Sequence, residues 1–402
     1  MQDASRKLEG PSVPEVARTA GETSVYVHFP WCLSKCPYCD FATRAVEPEE
    51  VLHARYADAV LRELAGRADA LAGRRLVSVF FGGGTPSLWQ PQALGRVLDG
   101  VLAGFPERAD EVEVTVECNP SSLDRGKAAA LRAIGVNRLS LGVQSLDDGH
   151  LRYLGRRHDA AGALRAVADA RAEIPRVSAD LMFGMPDQGV ADGVAEARRL
   201  VDLGLDHVSA YALTIEPQTA FGELHRRGQL PVADDDAYAD LFEALARTFA
   251  EAGLAHYEVS NYARPGEEAR HNLHYWRGGD YVGLGAAAVG RLTAGPGRAR
   301  RWRNRPDPHR YLAAAGTAAV EAWEETLEAE DLVREALMLG LRTREGVDLR
   351  ATGARAGTDP EAARREAVGR ALARGDLERD GPRLRVPADR WLRLDAIVAD
   401  VF

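Results

Sequence analysis

The chain has few cysteines and no long apolar run, and each of these features excludes a class of protein. Only four of its 402 residues are cysteine, too few for a disulfide-stapled fold, so we expect a reducing compartment. No stretch approaches the roughly 18 apolar residues of a membrane span. The first 23 residues also lack the apolar core of a signal peptide. We therefore predict a cytoplasmic protein without an integral membrane segment.

Basic residues are also in the minority. The 51 Lys and Arg are outnumbered by 60 Asp and Glu, and the net charge of −9 argues against binding to nucleic acid or to an anionic membrane. Hydrophobic residues make up 46% and charged residues 28% of the chain, which is typical of a globular protein. The length predicts two or three domains.

From Ser24 onward, short β-branched runs alternate with longer helical patterns. Six such strand–helix repeats predict an α/β fold with a parallel sheet covered by helices. Because chemistry-bearing residues follow several successive strands, a partial (β/α)6 barrel of the TIM type is favoured over an open doubly wound sheet. The predicted strands are Ser24–Pro30, Val77–Gly84, Glu111–Pro120, Arg138–Ser145, Arg176–Gly184 and His207–Thr214. The predicted helices are Glu50–Asp69, Pro91–Gly104, Asp124–Ile134, Asp159–Glu173 and Ala191–Gly204.

The pattern changes after Thr214. An amphipathic helix is predicted at Asp236–Gly253, and an exposed loop at Arg291–Arg305, which holds six arginines with glycine and proline. From Leu327, two helices and a hairpin around Gly381 predict a small winged-helix-like α+β domain. Its 14 arginines are balanced by 15 acids, so we expect a packing or partner surface rather than DNA binding. The predicted segments are a flexible extension 1–23, a barrel core 24–215, an extension 216–326 and the C-terminal domain 327–402.

Three of the four cysteines fall within eight residues, directly after the first strand. Cys32, Cys36 and Cys39 can bind three corners of an iron–sulfur cube and leave one iron for an exchangeable ligand. A structural zinc site would need four ligands, usually in two pairs. A redox pair of Cys36 and Cys39 would leave Cys32 unused. Cys118, alone on another strand, is expected to be a small buried residue.

A glycine run at the end of the second strand, Gly82-Gly83-Gly84-Thr85-Pro86, accompanies the cysteine loop. Its backbone amides are expected to approach a charged ligand group, because glycine has no side chain in the way. Together the two motifs resemble the radical S-adenosylmethionine (SAM) superfamily. The resemblance implies a [4Fe–4S] cluster on Cys32, Cys36 and Cys39, with SAM on the fourth iron. It also implies a reductant, such as flavodoxin or ferredoxin, if SAM is cleaved to a 5′-deoxyadenosyl radical.

Further motifs resemble the HemN/HemW group of that superfamily. They are Val25-Tyr26-Val27-His28, Gly142-Val143-Gln144-Ser145, Leu154-Gly155-Arg156, Asp180-Leu181-Met182-Phe183-Gly184 and Tyr211-Ala212-Leu213-Thr214. The resemblance implies SAM contacts at Tyr26, Gly83, Gly84, Thr85, Glu117, Gln144, Arg156, Asp180, Ala212 and Val289. Carboxylates at Glu117 and Asp180 suit a ribose hydroxyl or an amino group, and Arg156 suits a carboxylate. Each of these alone is equally well explained by an ion pair at the barrel rim.

Two features resemble the HemW branch, which contains haem chaperones, more than the oxygen-independent coproporphyrinogen dehydrogenases. Phe41 stands where the dehydrogenases carry a further cysteine, and His271-Asn-Leu-His-Tyr-Trp276 matches a motif associated with haem binding. The resemblance implies His271 as a haem contact and His274 as a second candidate. From chemistry alone, either histidine could be a buried structural residue. One departure is Gly290, where many HemW-like chains have histidine.

The leading expectation is therefore a haem chaperone that transfers haem to haem-requiring proteins, with the cluster and SAM in a regulatory or structural role. The arginines of 291–305 could pair with haem propionates, although a solvated loop is the simpler interpretation. One alternative is an oxygen-independent coproporphyrinogen III dehydrogenase, which releases propionate carboxyl groups as CO2. A second is a HemN-like radical SAM methyltransferase or cyclopropanase. The sequence identifies neither the haem acceptor nor a catalytic residue.

Overall fold

A twelve-stranded sheet runs through most of the chain in the computed structural model, which describes residues 21–402. At its centre, six parallel strands lie side by side in chain order, and helices connect them. This arrangement is the predicted partial (β/α)6 barrel. The six strands are β1 (Glu22–Phe29), β2 (Arg75–Gly83), β3 (Glu107–Cys118), β4 (Arg138–Gln144), β5 (Arg176–Phe183) and β6 (His207–Ala212).

Helices cover the outside of these strands, so the strands are largely buried on both faces. Pro91 is the first residue of its helix, as predicted, where its missing N–H has no intrahelical partner to lose. Two other starts are capped by aspartate: Asp124 accepts from the Lys127 amide at 2.7 Å, and Asp159 from the Gly162 amide at 2.6 Å. The helices are α1 (His53–Gly66), α2 (Pro91–Gly104), α3 (Arg125–Ala133), α4 (Asp148–Tyr153), α5 (Ala160–Glu173) and α6 (Val190–Asp202).

Strands from the second half of the chain extend the sheet beyond both β1 and β6. β9 pairs in parallel with β1, and β10, β11 and β12 follow it as an antiparallel ladder; β8 and then β7 lie beyond β6. These strands are β7 (Ala255–Glu258), β8 (Asn261–Ala263), β9 (Asp280–Leu284), β10 (Val289–Gly295), β11 (Arg298–Asn304) and β12 (Glu321–Leu327). The helices among them are α7 (Ala220–Arg226), α8 (Asp235–Glu251), α9 (Arg270–Trp276) and α10 (Pro308–Ala314).

The prediction of an exposed loop at Arg291–Arg305 is wrong, because the strands β10 and β11 occupy that segment. Arg291 is buried and pairs with Asp280 and Glu335. Arg301 lies opposite Glu325 on β12 and pairs with it and with Glu335. Cross-strand pairs of opposite charge stabilise a sheet, and here the acids lie far along the chain from the arginines. The local pattern of arginine and glycine therefore did not indicate these acidic partners.

The C-terminal part has the predicted order of helices followed by a hairpin, and a core of its own. Leu332, Leu337, Trp391 and Ile397 belong to this core. It abuts the barrel sheet, where the ring of His256 lies 4.3 Å from that of Trp391. Its elements are α11 (Ala329–Gly340), β13 (Val347–Asp348), α12 (Leu349–Ala356), α13 (Arg365–Arg374), β14 (Glu378–Asp380), β15 (Arg383–Arg385) and α14 (Leu394–Val401).

The predicted segment boundaries do not all coincide with boundaries in the structure. Residues 1–20 of the predicted extension 1–23 lie outside the described residues, and β1 already begins at Glu22. The sheet continues across the boundary between 215 and 216, so the barrel core and the next segment share it. Within residues 21–402, no helix is both long and apolar enough to cross a bilayer.

Candidate cluster and cofactor site

A cavity of about 520 Å³ lies at the carboxyl ends of the parallel strands, where barrels of this type gather their functional residues. Of the fourteen site residues that the sequence predicted, eleven line this cavity, although their sequence positions span some 180 residues. Tyr26, Val289 and His271 do not line it. The eleven are Cys32, Cys36, Cys39, Gly83, Gly84, Thr85, Glu117, Gln144, Arg156, Asp180 and Ala212.

The cysteine loop starts where β1 ends and is closed by a short ladder. Trp31–Cys32 pairs in parallel with Arg44–Ala45, which brings the two ends of the loop together. Inside the loop, the Cys39 amide donates to the Cys36 carbonyl at 3.1 Å. Both ends of the loop are thus fixed by backbone hydrogen bonds, so the three thiols are presented to one cavity by a defined turn.

The thiols have the chemistry of cluster ligands. Burial raises the pKa of Cys32 and of Cys39, so their thiolates need nearby positive charge. The Arg156 guanidinium supplies some to Cys32, whose pKa it lowers, and its Nη1 also lies 3.6 Å from the Cys36 Sγ. Within residues 21–402, no three His, Cys, Asp or Glu side chains converge as ligands of a single ion would. A cube holds its thiolates on separate irons, so the donor set fits an iron–sulfur cluster.

The glycine run lines the cavity and also has a packing role in the structure. Its amides do not face the cavity freely: Gly83 N–H donates to Glu117 Oε2 at 3.1 Å, and Gly84 N–H donates to the Phe29 carbonyl at 2.7 Å. Gly83 has φ +110°, and a Cβ there would lie 2.5 Å from the His28 ring. A Cβ at Gly84 would lie 2.5 Å from the Trp31 carbonyl oxygen. The glycines let β2 press against the start of the cysteine loop.

Two carboxyl groups face the cavity with raised pKa values. Burial, and then the nearby Asp180 carboxylate, raise the pKa of Glu117 to about 8. Burial raises the pKa of Asp180 to about 6, although the Ser140 hydroxyl donates to its Oδ1 at 3.2 Å. Two acids that hinder each other's ionisation favour a cationic ligand, because a positive charge between them would stabilise both carboxylates.

Two residues at the rim of the cavity are unusual. Arg156 has a hydrogen-bond donor without a partner, and Gln144 has a strained backbone conformation. Arg156 Nη2 donates to the Gly142 carbonyl at 2.8 Å, but its Nε is buried with no hydrogen-bond partner among the described residues. Gln144 has φ +69°, which is costly for a residue with a Cβ, and its Oε1 accepts from the Tyr211 hydroxyl at 2.8 Å. Strain of this kind is usual where a ligand is bound.

The two histidines of the haem-type motif are engaged inside the protein. The buried His271 accepts or donates through Nδ1 with the Ser78 hydroxyl at 2.8 Å, and its ring stacks on Phe80 at 4.8 Å. Burial lowers the pKa of His271 well below its usual value, so the ring is neutral. His274 Nε2 lies 2.7 Å from the Asp280 carbonyl. Asn272 is the motif residue that lines the cavity.

The departure at Gly290 has a steric cause. A Cβ there would lie 2.1 Å from the indole ring of Trp302, which is buried on the neighbouring strand β11 opposite Gly290. Histidine therefore cannot occupy position 290 in this chain unless Trp302 moves. The same indole also receives the guanidinium of Arg67, 4.5 Å from the ring centroid.

Sequence reasoning missed several residues that line the cavity. Tyr38 directly precedes Cys39, Tyr211 precedes the predicted Ala212, and Arg138 begins β4. The period-two alternation of β4, in which Arg138, Ser140 and Gly142 point the same way, could have indicated Arg138. Nothing local separates an inward arginine from one that pairs with an acid on the outside.

Comparison with known proteins agrees with this geometry. The model of the radical SAM superfamily matches residues 26–200, and that of the HemN C-terminal domain matches residues 327–389. The haem chaperone HemW of Mycobacterium tuberculosis H37Rv is 38% identical over 396 residues, 96% of each chain. This chain belongs to the HemW family. The HemW of Escherichia coli K12 is 41% identical over 290 residues, 72% of this chain and 75% of that one.

The fold has a counterpart among solved structures. Coproporphyrinogen III oxidase (HemN) from Escherichia coli has a TM-score of 0.79 with this structure at 21% identity, covering 96% of this chain and 91% of its own. At that identity the likeness concerns the fold. Membership of the radical SAM superfamily implies a [4Fe–4S] cluster and SAM in this HemW-family protein.

Proposed function

We propose that this protein is a haem chaperone, which binds haem and passes it to haem-requiring proteins in the cytoplasm. The observation that carries the proposal is 38% identity with a protein named haem chaperone HemW over nearly the whole of both chains. Phe41 supports it, because this exposed side chain places no further thiol beside the three predicted cluster ligands.

Cys32, Cys36 and Cys39 are proposed to hold the [4Fe–4S] cluster, and SAM to bind beside them in the same cavity. When bound, the reduced cluster and SAM supply one-electron chemistry, for which a flavodoxin or ferredoxin is the proposed donor. Arg156 is proposed to bind the SAM carboxylate, and its unpartnered Nε supports this role. Glu117 and Asp180 are proposed to take the cationic amino group or the ribose hydroxyls; the predicted contacts at Tyr26 and Val289 depend on the resemblance alone.

Haem coordination by His271 would have to use one particular ring nitrogen. Because Nδ1 is bound to Ser78, only Nε2 remains to coordinate iron. The ring lies against Phe80, which itself lines the cavity, so haem would have to approach from inside the barrel. His274, whose Nε2 bonds to a strand carbonyl, is less well placed for this role.

The test is an anaerobic titration of haemin into the full-length, cluster-loaded protein. A stoichiometric shift of the Soret band is expected, and His271→Ala should weaken it at least tenfold if His271 coordinates iron. His309→Ala is the matched control, because His309 is exposed and far from the motif in sequence. Absence of a saturable Soret shift in the parent protein would overturn the chaperone proposal. A shift unaffected by His271→Ala would remove only the ligand assignment.

A parallel assay with coproporphyrinogen III separates the main alternative. Under reducing, anaerobic conditions with SAM, a coproporphyrinogen dehydrogenase would release CO2 and a decarboxylated porphyrinogen. We expect no such product from this chain. Its appearance at catalytic turnover would establish the enzyme instead.

A further inference from the structure

The barrel interior below the cluster site is polar. Barrel cores are ordinarily filled by bulky branched side chains. Here Ser140, Ser209, Asn261 and Asn272 line the same cavity as the cysteines. The Asn261 Nδ2 donates to the Glu258 carboxylate, and its buried Oδ1 has no hydrogen-bond partner among the described residues. Polar groups this deep normally have partners, so the lower cavity has unused hydrogen-bonding capacity.

A buried arginine stands at the bottom of this compartment. Arg138 is 3% exposed, lines the cavity, and makes one side-chain hydrogen bond, from Nη2 to the Ser178 hydroxyl at 3.0 Å. Among residues 21–402, no carboxylate lies within salt-bridge distance of it. The register places Thr115 beside it on β3, and the Thr115 hydroxyl is also buried without a partner.

The neighbouring strand offers a direct contrast. Arg176 lies beside Arg138 in the β4–β5 register, and it is paired with Glu113 at 2.7 Å and Glu267 at 2.8 Å. Arg176 does not line the cavity. The fold therefore gives the half-buried Arg176 two directly paired acids and gives the buried Arg138 none; Arg138 is linked to Asp180 only through the Ser178 and Ser140 hydroxyls. A buried cation without a directly paired acid is expensive, so retaining it favours an anion as its partner.

We infer that Arg138, with the side chain of Asn272 lining the same cavity, binds a carboxylate group of a ligand that enters the barrel. The planar guanidinium matches a carboxylate with two parallel hydrogen bonds. Two proposed ligands carry such a group: haem in its propionate side chains, and SAM in its methionine portion, for which Arg156 is the other proposed partner. Binding of a haem propionate at Arg138 rests on the proposed function, whereas binding of the SAM carboxylate there does not.

The test compares Arg138→Met with Arg176→Met in the full-length protein. Without ligands, Arg138→Met should melt at or above the parent temperature, since a methionine removes an unpaired charge and keeps the volume. Arg176→Met should melt lower, because it leaves Glu113 buried and unpaired. An Arg138→Met protein that melts as low as Arg176→Met would show a structural role for Arg138 and overturn the inference.

Ligand titrations then identify the source of the carboxylate. Loss of one charge-assisted pair should weaken binding about tenfold or more. If the partner is a propionate, Arg138→Met weakens haemin, while haemin dimethyl ester and SAM bind as to the parent. If the partner is the SAM carboxylate, SAM weakens and haemin does not. Arg138→Lys should restore part of the affinity in either case.

Two results distinguish failure of this inference from failure of the proposed function. A parent protein that shows no haemin shift loses the chaperone function, and the SAM titration alone then decides the role of Arg138. Unchanged affinities for both ligands in Arg138→Met overturn the carboxylate site whatever the parent does. Arg138→Gln, which keeps a donor for Ser178 and removes the charge, gives the same readouts if the methionine variant fails to fold.

Discussion

Gly83→Ala tests the steric role of the glycine run. Gly83 has φ +110°, and a Cβ built there would meet the Cε1 of His28 at 2.5 Å and its Nδ1 at 2.6 Å. His28 cannot easily move away, because its ring nitrogens contact the Tyr26 hydroxyl at 3.0 Å and the Ala42 carbonyl at 3.1 Å. The second of these partners lies in the cysteine loop, so the strain is transmitted to the predicted cluster ligands.

The magnitude follows from two costs. Backbone strain at a positive φ costs about 1–3 kcal/mol, and overpacking a filled site costs about 1–3 kcal/mol more. A total of about 2–6 kcal/mol is a large part of the roughly 5–15 kcal/mol by which proteins are stable. An unfolding entropy of about 2.1 cal/mol/K per residue gives roughly 0.8 kcal/mol/K for the 402 residues, so the melting temperature should fall by about 2–7 °C. Iron content after reconstitution should fall as well.

Thermal denaturation followed by far-UV circular dichroism is the assay, with iron analysis alongside. Gly369→Ala is the matched control, because Gly369 is exposed within α13 and a Cβ there meets nothing within 4 Å. That variant should be unchanged or more stable by about 0.5–1 kcal/mol. A Gly83→Ala melting curve that superimposes on the parent curve, with full iron content, would refute the steric explanation.

The remaining predictions concern the cluster and the acids beside it. Cys36→Ala should lose iron, sulfide and the brown absorbance near ~400 nm, whereas Cys118→Ala should keep them; iron retained in full by Cys36→Ala would contradict the ligand assignment. Because burial raises the pKa of Glu117 from 4.5 to about 8, its stabilising contribution is fully present below pH 4.5 and is lost as pH rises from there to about 8. Denaturation measured across that range should show this loss in the parent and less of it in Glu117→Gln. SAM affinity should rise over the same pH range, since the carboxylate is the form that attracts a cation; a flat SAM profile in the parent would contradict this role of Glu117.

The local patterns were sufficient for the barrel and for most of the site. The six parallel strands alternate along the chain with helical patterns, so the local pattern located them. The spacing of Cys32, Cys36 and Cys39 placed three thiols on one loop, and the strand ends located Glu117 and Asp180. These features are short-range in sequence, which is why periodicity and motif spacing predict them.

The segment from 216 to 326 was harder, because its structure depends on distant partners. The segment around Arg300 and Arg301 has the local composition of a solvated loop. In the folded chain these arginines pair with Glu324 and Glu325 of β12. His271 matched a motif, but only the tertiary structure shows it held by Ser78, almost two hundred residues earlier.

The sequence by itself determined that three thiols lie together and that six strands carry functional groups to one end of a barrel, since both depend on spacing along the chain. The tertiary structure alone decided which charges are compensated. Arg138 and Arg176 begin neighbouring strands with the same residue type, yet Arg176 meets two acids and Arg138 meets a cavity. Charge compensation depends on distances between side chains that are remote in sequence, and those distances exist only after the chain has folded.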